Sequence, residues 1–154
     1  MPKASVDPRR RAALGGRLCA GLALALALAP VARAEPVEPA DPRPMPADLD
    51  ALRREARPVL VFADSPRDPD YLGQIEALQA AAPGLAERDM VVLVDADPAA
   101  GGPLRKAMEV EGFATVLVGK DGGVKLREPH PVAPLELFAL VDRMPMRRRE
   151  MQAD

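Results

Sequence analysis

The chain has 154 residues, of which 21 are Lys or Arg and 23 are Asp or Glu, and its formal net charge is −2 at neutral pH. This length suits one domain around one hydrophobic core, so a multidomain protein is not expected. The only cysteine is Cys19, which excludes a fold held together by internal disulfides.

The first 34 residues have the order of blocks that is typical of a secretory signal peptide. Basic residues come first, an apolar run follows at residues 18–29, and the small-residue site Ala32-Arg33-Ala34 comes last. The apolar run is shorter than the roughly 20 residues that cross a bilayer. We therefore predict cleavage after Ala34, with no stable membrane anchor left in the mature protein.

Two features bear on the export route. Cys19 lies at the start of the apolar run rather than after it, which argues against a lipoprotein signal. The arginine triplet at residues 9–11 leaves the twin-arginine route open beside ordinary secretion, although the residues after it match that motif weakly. We expect the mature protein in the bacterial periplasm or secreted, and without a thiol because Cys19 is removed.

The mature chain is distinctly acidic. Cleavage removes six of the 21 basic residues and one of the 23 acidic ones, which leaves 15 against 22 and a formal charge of −7. A field of that sign disfavours nucleic acid and anionic membranes as general partners, because phosphate binding depends on clustered Lys and Arg. Residues 35–47 contain five prolines and few residues to bury, so we predict an extended linker there.

The domain begins with a short helix predicted at residues 48–56, followed by two apolar runs at residues 59–62 and 90–94. Neither run alternates with polar residues, as is typical of strands buried on both faces. Between them, Asp68-Pro69 supplies an N-cap and a first-turn proline, and apolar residues recur at helical spacing as far as Ala82. Pro83-Gly84 is expected to bend or end this helix, with residues 85–89 as a short connector, and the three elements form a parallel crossover unit.

The second half of the domain adds a short helix from Pro103, a third strand at residues 113–118 and a glycine turn at residues 120–123. The turn returns the chain as an antiparallel strand, and a final helix begins at Pro134. The element order is βαβαββα. We predict an α/β fold with a central mixed sheet of about four strands flanked by helices.

Several segments carry a resemblance to known proteins. The order of elements and the stretch Gly112-Phe-Ala-Thr-Val-Leu-Val-Gly-Lys-Asp-Gly-Gly-Val124 resemble thioredoxins. Together with residues 59–65, 85–89 and 137–147, these features are similar to the secreted DUF4174 family, whose wider relatives include peroxiredoxin-like domains of animal extracellular proteins. The resemblance implies a thioredoxin-like three-layer sandwich over residues 48–146, with residues 147–154 left as a basic tail.

The resemblance also locates a candidate site in the loop after the first strand, where redox relatives carry their cysteine pair. Here the loop offers Ser65, Arg67 and Asp68, and Ala114 followed by Thr115 stands at the position of the cis-proline. A serine hydroxyl cannot exchange with a disulfide, so no thiol chemistry is expected. Ser65, Arg67, Asp68 and Thr115 are the candidate binding residues, although capping of the following helix is the simpler role for Asp68.

A serine hydrolase or a hard-cation site would need partners that the sequence does not place together. The only histidine, His130, lies between two prolines and is expected away from Ser65, so we do not predict a nucleophile and base pair. Asp95 and Asp97 follow the second buried strand, and two carboxylates fall short of the oxygens that a cation requires. We therefore assign no catalytic residue here.

The C-terminal segment contains soft ligands and a charge run. Met144, Met146 and Met151, with His130, resemble a Cu(I) ligand set, but Met144 completes the apolar stripe of the last helix and fits a core role better. Arg147-Arg148-Arg149 is most simply a solvated tail. We predict neither a metal nor another cofactor.

The sequence favours a non-catalytic module that binds a protein or peptide through residues 64–69, residues 114–115 or the C-terminal tail. A cysteine-independent peroxidase-like or hydrolytic enzyme, in oxidative or envelope stress, is the alternative from the enzyme class. A third hypothesis is a structural component whose exposed sheet edge pairs with another chain.

Overall fold

The computed structural model of the protein describes residues 40–153. The predicted signal peptide, its cleavage site and Cys19 lie outside the described residues. Within residues 40–153, none of the helices has the length and apolar character needed to cross a membrane. The described chain forms five strands, β1 Arg43–Pro44, β2 Arg57–Phe62, β3 Met90–Asp95, β4 Ala114–Val118 and β5 Val124–Glu128, and five α-helices, α1 Pro69–Ala80, α2 Ala82–Glu87, α3 Pro103–Ala107, α4 Pro134–Asp142 and α5 Pro145–Ala153.

The strands form one mixed sheet in the order β1-β3-β2-β4-β5. Strands β1, β3 and β2 run parallel, whereas β4 is antiparallel to both β2 and β5. The strand ends lie at two opposite ends of the sheet. We call the end at which β2 and β3 finish the loop end. We call the other end, at which β4 turns into β5, the turn end. The predicted α/β class and mixed sheet are confirmed, with one strand more than the four expected.

The apolar run of β2 is explained by burial on both faces of the sheet. Val59 and Val61 face α1, α2 and α4, whose buried side chains include Leu78, Leu85, Leu137 and Val141. Leu60 and Phe62 face the other side, where they pack with Val110, Met108, Met45, Leu49 and Leu52. All six residues of β2 are buried, and each large apolar side chain removed from water contributes about 1.5–3 kcal/mol. The result is the predicted three-layer arrangement.

The connection between α1 and β3 differs from the prediction. The helix of Pro69 ends at Ala80, close to the predicted bend or end, but Pro83 and Gly84 lie inside a second helix, α2, which occupies most of the predicted connector. A proline in the first turn of a helix loses no hydrogen bond, because the first N–H groups have no partner within the helix. A Cβ added at Gly84 would lie 2.5 Å from the ring of Phe138, so the glycine allows α4 to pack directly on α2.

The predicted linker is partly ordered into the sheet. Arg43 and Pro44 form β1, which pairs with Leu93 and Val94, and the N–H of Met45 donates to the carbonyl of Val94 at 3.0 Å. The extended conformation expected for this proline-rich stretch is compatible with an edge strand, where a missing N–H can face away from the sheet. The prediction of an unpaired linker over residues 35–47 is therefore wrong for residues 43–45, which pair with β3.

The predicted basic tail is wrong. Residues Pro145–Ala153 form α5, and Arg147, expected to be solvated, is only 5% exposed. Pro145 opens the helix, which suits the fixed backbone angle of proline in a first helical turn. The charged side chains of Arg147 and Glu150 form ion pairs with residues on other elements, as described below.

Candidate functional site

The loop between β2 and α1 is organised by its own polar groups. The N–H of Arg67 donates to Ser65 Oγ at 3.1 Å. The Asp68 carboxylate accepts from the N–H of Asp70 at 2.8 Å and from that of Tyr71 at 3.5 Å. Asp68 is thus the N-cap of α1, a role worth about 1 kcal/mol. Ser65 and Asp68 use hydrogen-bonding capacity on the loop itself, whereas Arg67 is exposed.

Thr115 does not join this loop, contrary to the prediction. It is fully buried, and its Oγ1 donates to Oε1 of Gln74 at 3.1 Å. Gln74, also fully buried, donates through Nε2 to the carbonyl of Val132 at 3.1 Å and accepts from the N–H of Val132 at 2.6 Å. The hydroxyl therefore belongs to an internal network that ties α1 to β4 and to the segment before α4. The neighbouring Ala114 is also buried, so residues 114–115 do not form a surface.

Gln74 was missed from the sequence, although a signal was present. It lies three residues after Tyr71 and four before Leu78, which places it on the apolar stripe of α1. A polar residue at such a position must be hydrogen-bonded when buried. A search for polar residues inside helical apolar stripes would have found it.

A buried arginine, Arg105, binds the strand ends from which the β2–α1 loop begins. Arg105 is 7% exposed, and its Nη2 donates to the carbonyls of Ala63 at 2.7 Å and Asp95 at 2.8 Å. Its Nε donates to Oδ2 of Asp95 at 3.2 Å, and its guanidinium carbon lies 5.4 Å from the ring centre of Phe62. Arg105 thus clamps together the ends of β2 and β3, where the candidate loop begins.

The carboxylates after β3 have structural partners. Asp95 forms the ion pair with Arg105, and Oδ1 of Asp97 accepts from the N–H of Ala99 at 3.1 Å, which caps the short 3-10 helix Pro98–Ala100. In the part of the chain that the structure describes, no three His, Cys, Asp or Glu residues lie close enough to hold a metal ion. This pair of aspartates is explained by the fold.

His130 and Ser65 each have a local partner. His130 is exposed, with Nε2 3.3 Å from Oε2 of Glu128. The pairing of Val61 with Thr115, and of Thr115 with Glu128, puts the ends of β2 and β5 at the same loop end, separated by β4. The segment of His130 therefore begins at the same end of the sheet as the loop of Ser65, with one strand between β2 and β5.

The turn end carries an extensive charge network around Arg57, which is 1% exposed. Its Nη2 donates to both carboxylate oxygens of Glu150, at 3.0 and 2.9 Å, and its Nη1 donates to the carbonyl of Arg88 at 2.8 Å. Lys120 Nζ donates to Oε1 of Glu150 at 2.9 Å and to Oδ2 of Asp89 at 2.7 Å. Burial works to raise the pKa of Glu150, but hydrogen bonds from Lys120 and Arg57 lower it overall.

A second half of the network joins α2, α4 and α5. Nε and Nη2 of Arg88 donate to the two oxygens of Asp142 at 2.9 and 2.8 Å, and this bond lowers the pKa of Asp142. Arg147 donates through Nη2 to Oε1 of Glu87 at 2.8 Å. We call Arg57, Arg88 and Arg147, with Glu87, Asp89, Asp142 and Glu150, the arginine cluster. It fastens α5 to the rest of the domain.

Beside the arginine cluster lies a groove of about 300 Å³, between the β4–β5 turn and the corner of α4 and α5. Its apolar lining comes from Leu140, Met144, Pro145 and Met146, and its charged lining from Arg57, Lys120, Asp121, Lys125 and Arg143. A second hollow of about 480 Å³ adjoins it, shares Lys120, Asp121 and Met146, and adds Arg53 and Arg54. We call these two hollows together the turn-end groove.

The sheet, its three layers and the loop before α1 define a thioredoxin-like α/β domain. A solved structure of Plasmodium yoelii Prx1a, modified at the N-terminus and forming an artifactual octamer, is similar over 69% of this chain and 82% of its own, with 16% identity and a TM-score of 0.50. A malarial protein with 17% identity overlaps 57% of this chain and 96% of its own, with a TM-score of 0.48. The first likeness confirms the predicted peroxiredoxin-like, thioredoxin-like fold.

The family is also established. Residues 48–150 match the model of the family described as Domain of unknown function (DUF4174). The chain therefore belongs to the DUF4174 family, as its resemblance predicted. No curated protein matches the chain. The matched region includes the first part of α5, in agreement with a helix that belongs to the domain rather than to a tail.

Proposed function

We propose that the protein is an exported, non-catalytic, thioredoxin-like module that binds a protein or peptide. The observation that carries the proposal is the chemistry of residues 64–69. At the position where redox relatives hold reactive cysteines, Ser65 Oγ accepts a hydrogen bond from the N–H of Arg67. The Asp68 carboxylate accepts one from the N–H of Asp70 in the first turn of α1. These contacts stabilise the loop, and neither side chain can exchange with a disulfide.

The loop is well suited to recognition because it is rigid on one side and exposed on the other. Arg105 anchors the carbonyl of Ala63 immediately before it, and Asp68 anchors the start of α1 after it. Between these anchors, Pro66 and Arg67 are exposed. A preorganised loop loses little conformational entropy on binding, which favours affinity.

The hydrolytic alternative lacks a supporting contact. A serine nucleophile needs a base within hydrogen-bonding reach, whereas Ser65 contacts a backbone N–H and His130 faces Glu128. We therefore propose binding rather than catalysis as the function of this domain.

The proposal is tested by expressing the full chain in a bacterium and purifying it from the periplasmic fraction after crosslinking. Mass spectrometry of the product reports both the N-terminus and the crosslinked partners. We expect cleavage after Ala34, a reproducible protein partner, and no consumption of hydrogen peroxide with or without a thiol reductant. Fractionation as an uncleaved cytoplasmic protein would contradict the export part of the proposal.

A pair of variants tests the absence of catalysis. Ser65→Ala removes the loop hydroxyl, and Ser5→Ala serves as a control because residue 5 is removed with the predicted signal peptide. We expect both to retain the crosslinked partner and to lack peroxidase and esterase activity, as the wild type does. Activity in the wild type that Ser65→Ala abolishes would replace the binding proposal with the hydrolytic one.

A further inference from the structure

We propose that the turn-end groove is the docking site for an acidic peptide segment of the partner protein, with an apolar side chain of that segment seated on the methionines. This inference rests on the proposed function, because it names the surface and the chemistry of the partner. The turn-end groove lies at the opposite end of the sheet from residues 64–69, so it is a second binding surface beside that loop.

The apolar part of the groove is formed where α4 gives way to α5. Leu140, Met144 and Met146 line this part together with Pro145. Methionine side chains are flexible and polarizable, so they adapt to apolar occupants of different shapes. At about 300 Å³, this hollow is at the small end of the range for ligand sites, which suits a side-chain anchor better than a large cofactor.

The charged residues around the groove favour a negatively charged peptide. Residues 40–153 contain 15 basic and 19 acidic residues, a formal charge of −4. Yet six basic residues and one acidic residue line the turn-end groove, namely Arg53, Arg54, Arg57, Lys120, Lys125 and Arg143 against Asp121. The basic residues of an acidic domain are therefore concentrated here, and such a surface complements a negatively charged partner.

Two of these cations remain available for a ligand. Arg57 and Lys120 are paired with Glu150, and Lys125 Nζ donates to Oδ2 of Asp121 at 2.6 Å. In contrast, Arg54 and Arg143 form no ion pair with a carboxylate in the described part of the chain, and both are exposed. Arg143 donates through Nε to the carbonyl of Ala139 at 3.0 Å, which leaves its two Nη groups for a ligand. They lie in the two adjoining hollows, where they can bind carboxylates on either side of the seated side chain.

The groove is built to keep its shape without a ligand. Its α5 wall is held by the bonds from Arg57 and Lys120 to Glu150. At its base, a Cβ on Gly119 would lie 2.6 Å from both Cε of Lys125 and Oδ1 of Asp121. The glycine therefore permits the Lys125–Asp121 pair to lie across the turn, and the surface is preorganised for binding.

The probe for this site is a fluorescein-labelled peptide pool in which glutamates alternate with a mixture of Leu, Val, Met and Phe. Its binding to the full mature protein is measured by fluorescence anisotropy. One matched pool replaces glutamate with glutamine, and another replaces the apolar residues with serine. We expect binding of the acidic, apolar pool only, with the affinity of each matched pool reduced at least about tenfold.

Charge reversal locates the site. Arg54→Glu with Arg143→Glu is compared with Arg148→Glu and Lys106→Glu, which change the net charge equally and lie at exposed positions outside the turn-end groove. We expect the first double variant to weaken binding at least about tenfold and the second less than about twofold. Circular dichroism of both variants checks that they remain folded. Equal losses in the two variants, or failure of the wild type to bind the acidic pool, would overturn the site.

The crosslinking experiment separates this failure from failure of the proposed function. If the wild type captures a partner through residues 64–69 while the acidic pool does not bind, the groove proposal is wrong and the binding module stands. If crosslinked residues of the partner are acidic and map to the turn-end groove, both proposals are supported. If no partner is captured and no pool binds, both are wrong.

Discussion

The two ends of the sheet use charged residues in opposite ways. At the loop end, Ser65 and Asp68 bond to N–H groups two or three residues away. At the turn end, Arg57 and Glu150 bond across 93 positions of sequence. The loop between β2 and α1 is therefore capped locally, with Arg105 anchoring only the strand ends before it, whereas the turn end joins the first long strand to the last helix. We therefore expect the ion pairs of the turn end to contribute more to the stability of this domain than the polar groups of the β2–α1 loop.

The largest effect is expected at the turn end. Glu150→Ala removes the carboxylate that neutralises the buried Arg57, and breaking one partner of such a pair typically costs 3–5 kcal/mol. Since Glu150 is partly exposed, we expect a loss of about 3 kcal/mol in the free energy of unfolding, measured with urea. Glu136→Ala, at an exposed position of α4, is the matched control and should change stability little. A loss below that of Asp68→Ala would contradict the contrast between the two ends.

The next effect is expected in the buried network of Gln74, Thr115 and Val132. Gln74→Leu leaves both the N–H and the carbonyl of Val132 without their side-chain partner, and an unsatisfied buried polar group costs about 1–3 kcal/mol. We expect a loss of about 2 kcal/mol in thermal or urea unfolding. Gln79→Leu, at an exposed position of the same helix, provides the control. Equal stability of the two variants would show that the network contributes nothing.

A smaller effect is expected at the loop end itself. Asp68→Ala removes the N-cap of α1, which typically costs about 1 kcal/mol. Asp68→Asn retains a capping oxygen and should recover most of that stability, as measured by urea unfolding. Glu76→Ala, at an exposed position of the same helix, is the control. If Asp68→Ala were as stable as the wild type, the carboxylate would be free for a role in binding.

The smallest effect is expected from acidification. The folded pKa values of Asp142 and Glu150 are lowered from 3.8 and 4.5, so the folded state binds fewer protons than the unfolded state in this range. The associated stability is present above those values and is lost as the pH falls through the lower folded ones. Urea midpoints should therefore decline below about pH 4.5, less steeply in Asp142→Asn. If the urea midpoint fell with pH equally steeply in Asp142→Asn and in the wild type, Asp142 would not contribute to the acid dependence of stability.

The elements that could be predicted are those whose signals are local. The apolar run of β2, the glycine turn before β5 and the Asp68 cap depend on neighbouring residues, and each occurs where the sequence indicates. The elements that were missed depend on distant partners. Strand β1 needs the free edge of β3, and α5, with its run of arginines, resembles a solvated segment until Glu87 and Arg57 are in place.

The same contrast applies to the candidate site. The loop residues could be identified by position, because the thioredoxin-like order of elements is readable from the chain. The burial of Thr115 could not, since it depends on Gln74 reaching from α1 to β4. The turn-end groove was also missed, because its lining comes from four separate segments that only the folded domain brings together. Arg57 at the start of an apolar strand was the one visible clue.

The bond between Arg57 and Glu150 also has a consequence for the order of folding. Strand β2 lies at the centre of the sheet, yet the carboxylate that binds its buried guanidinium most closely, that of Glu150, arrives 93 residues later. A chain still being synthesised has only the carbonyl of Arg88 and the carboxylate of Asp89, 3.9 Å away, to compensate this cation until nearly all of the domain has emerged. We therefore expect the domain to reach its full stability only after α5 has been synthesised.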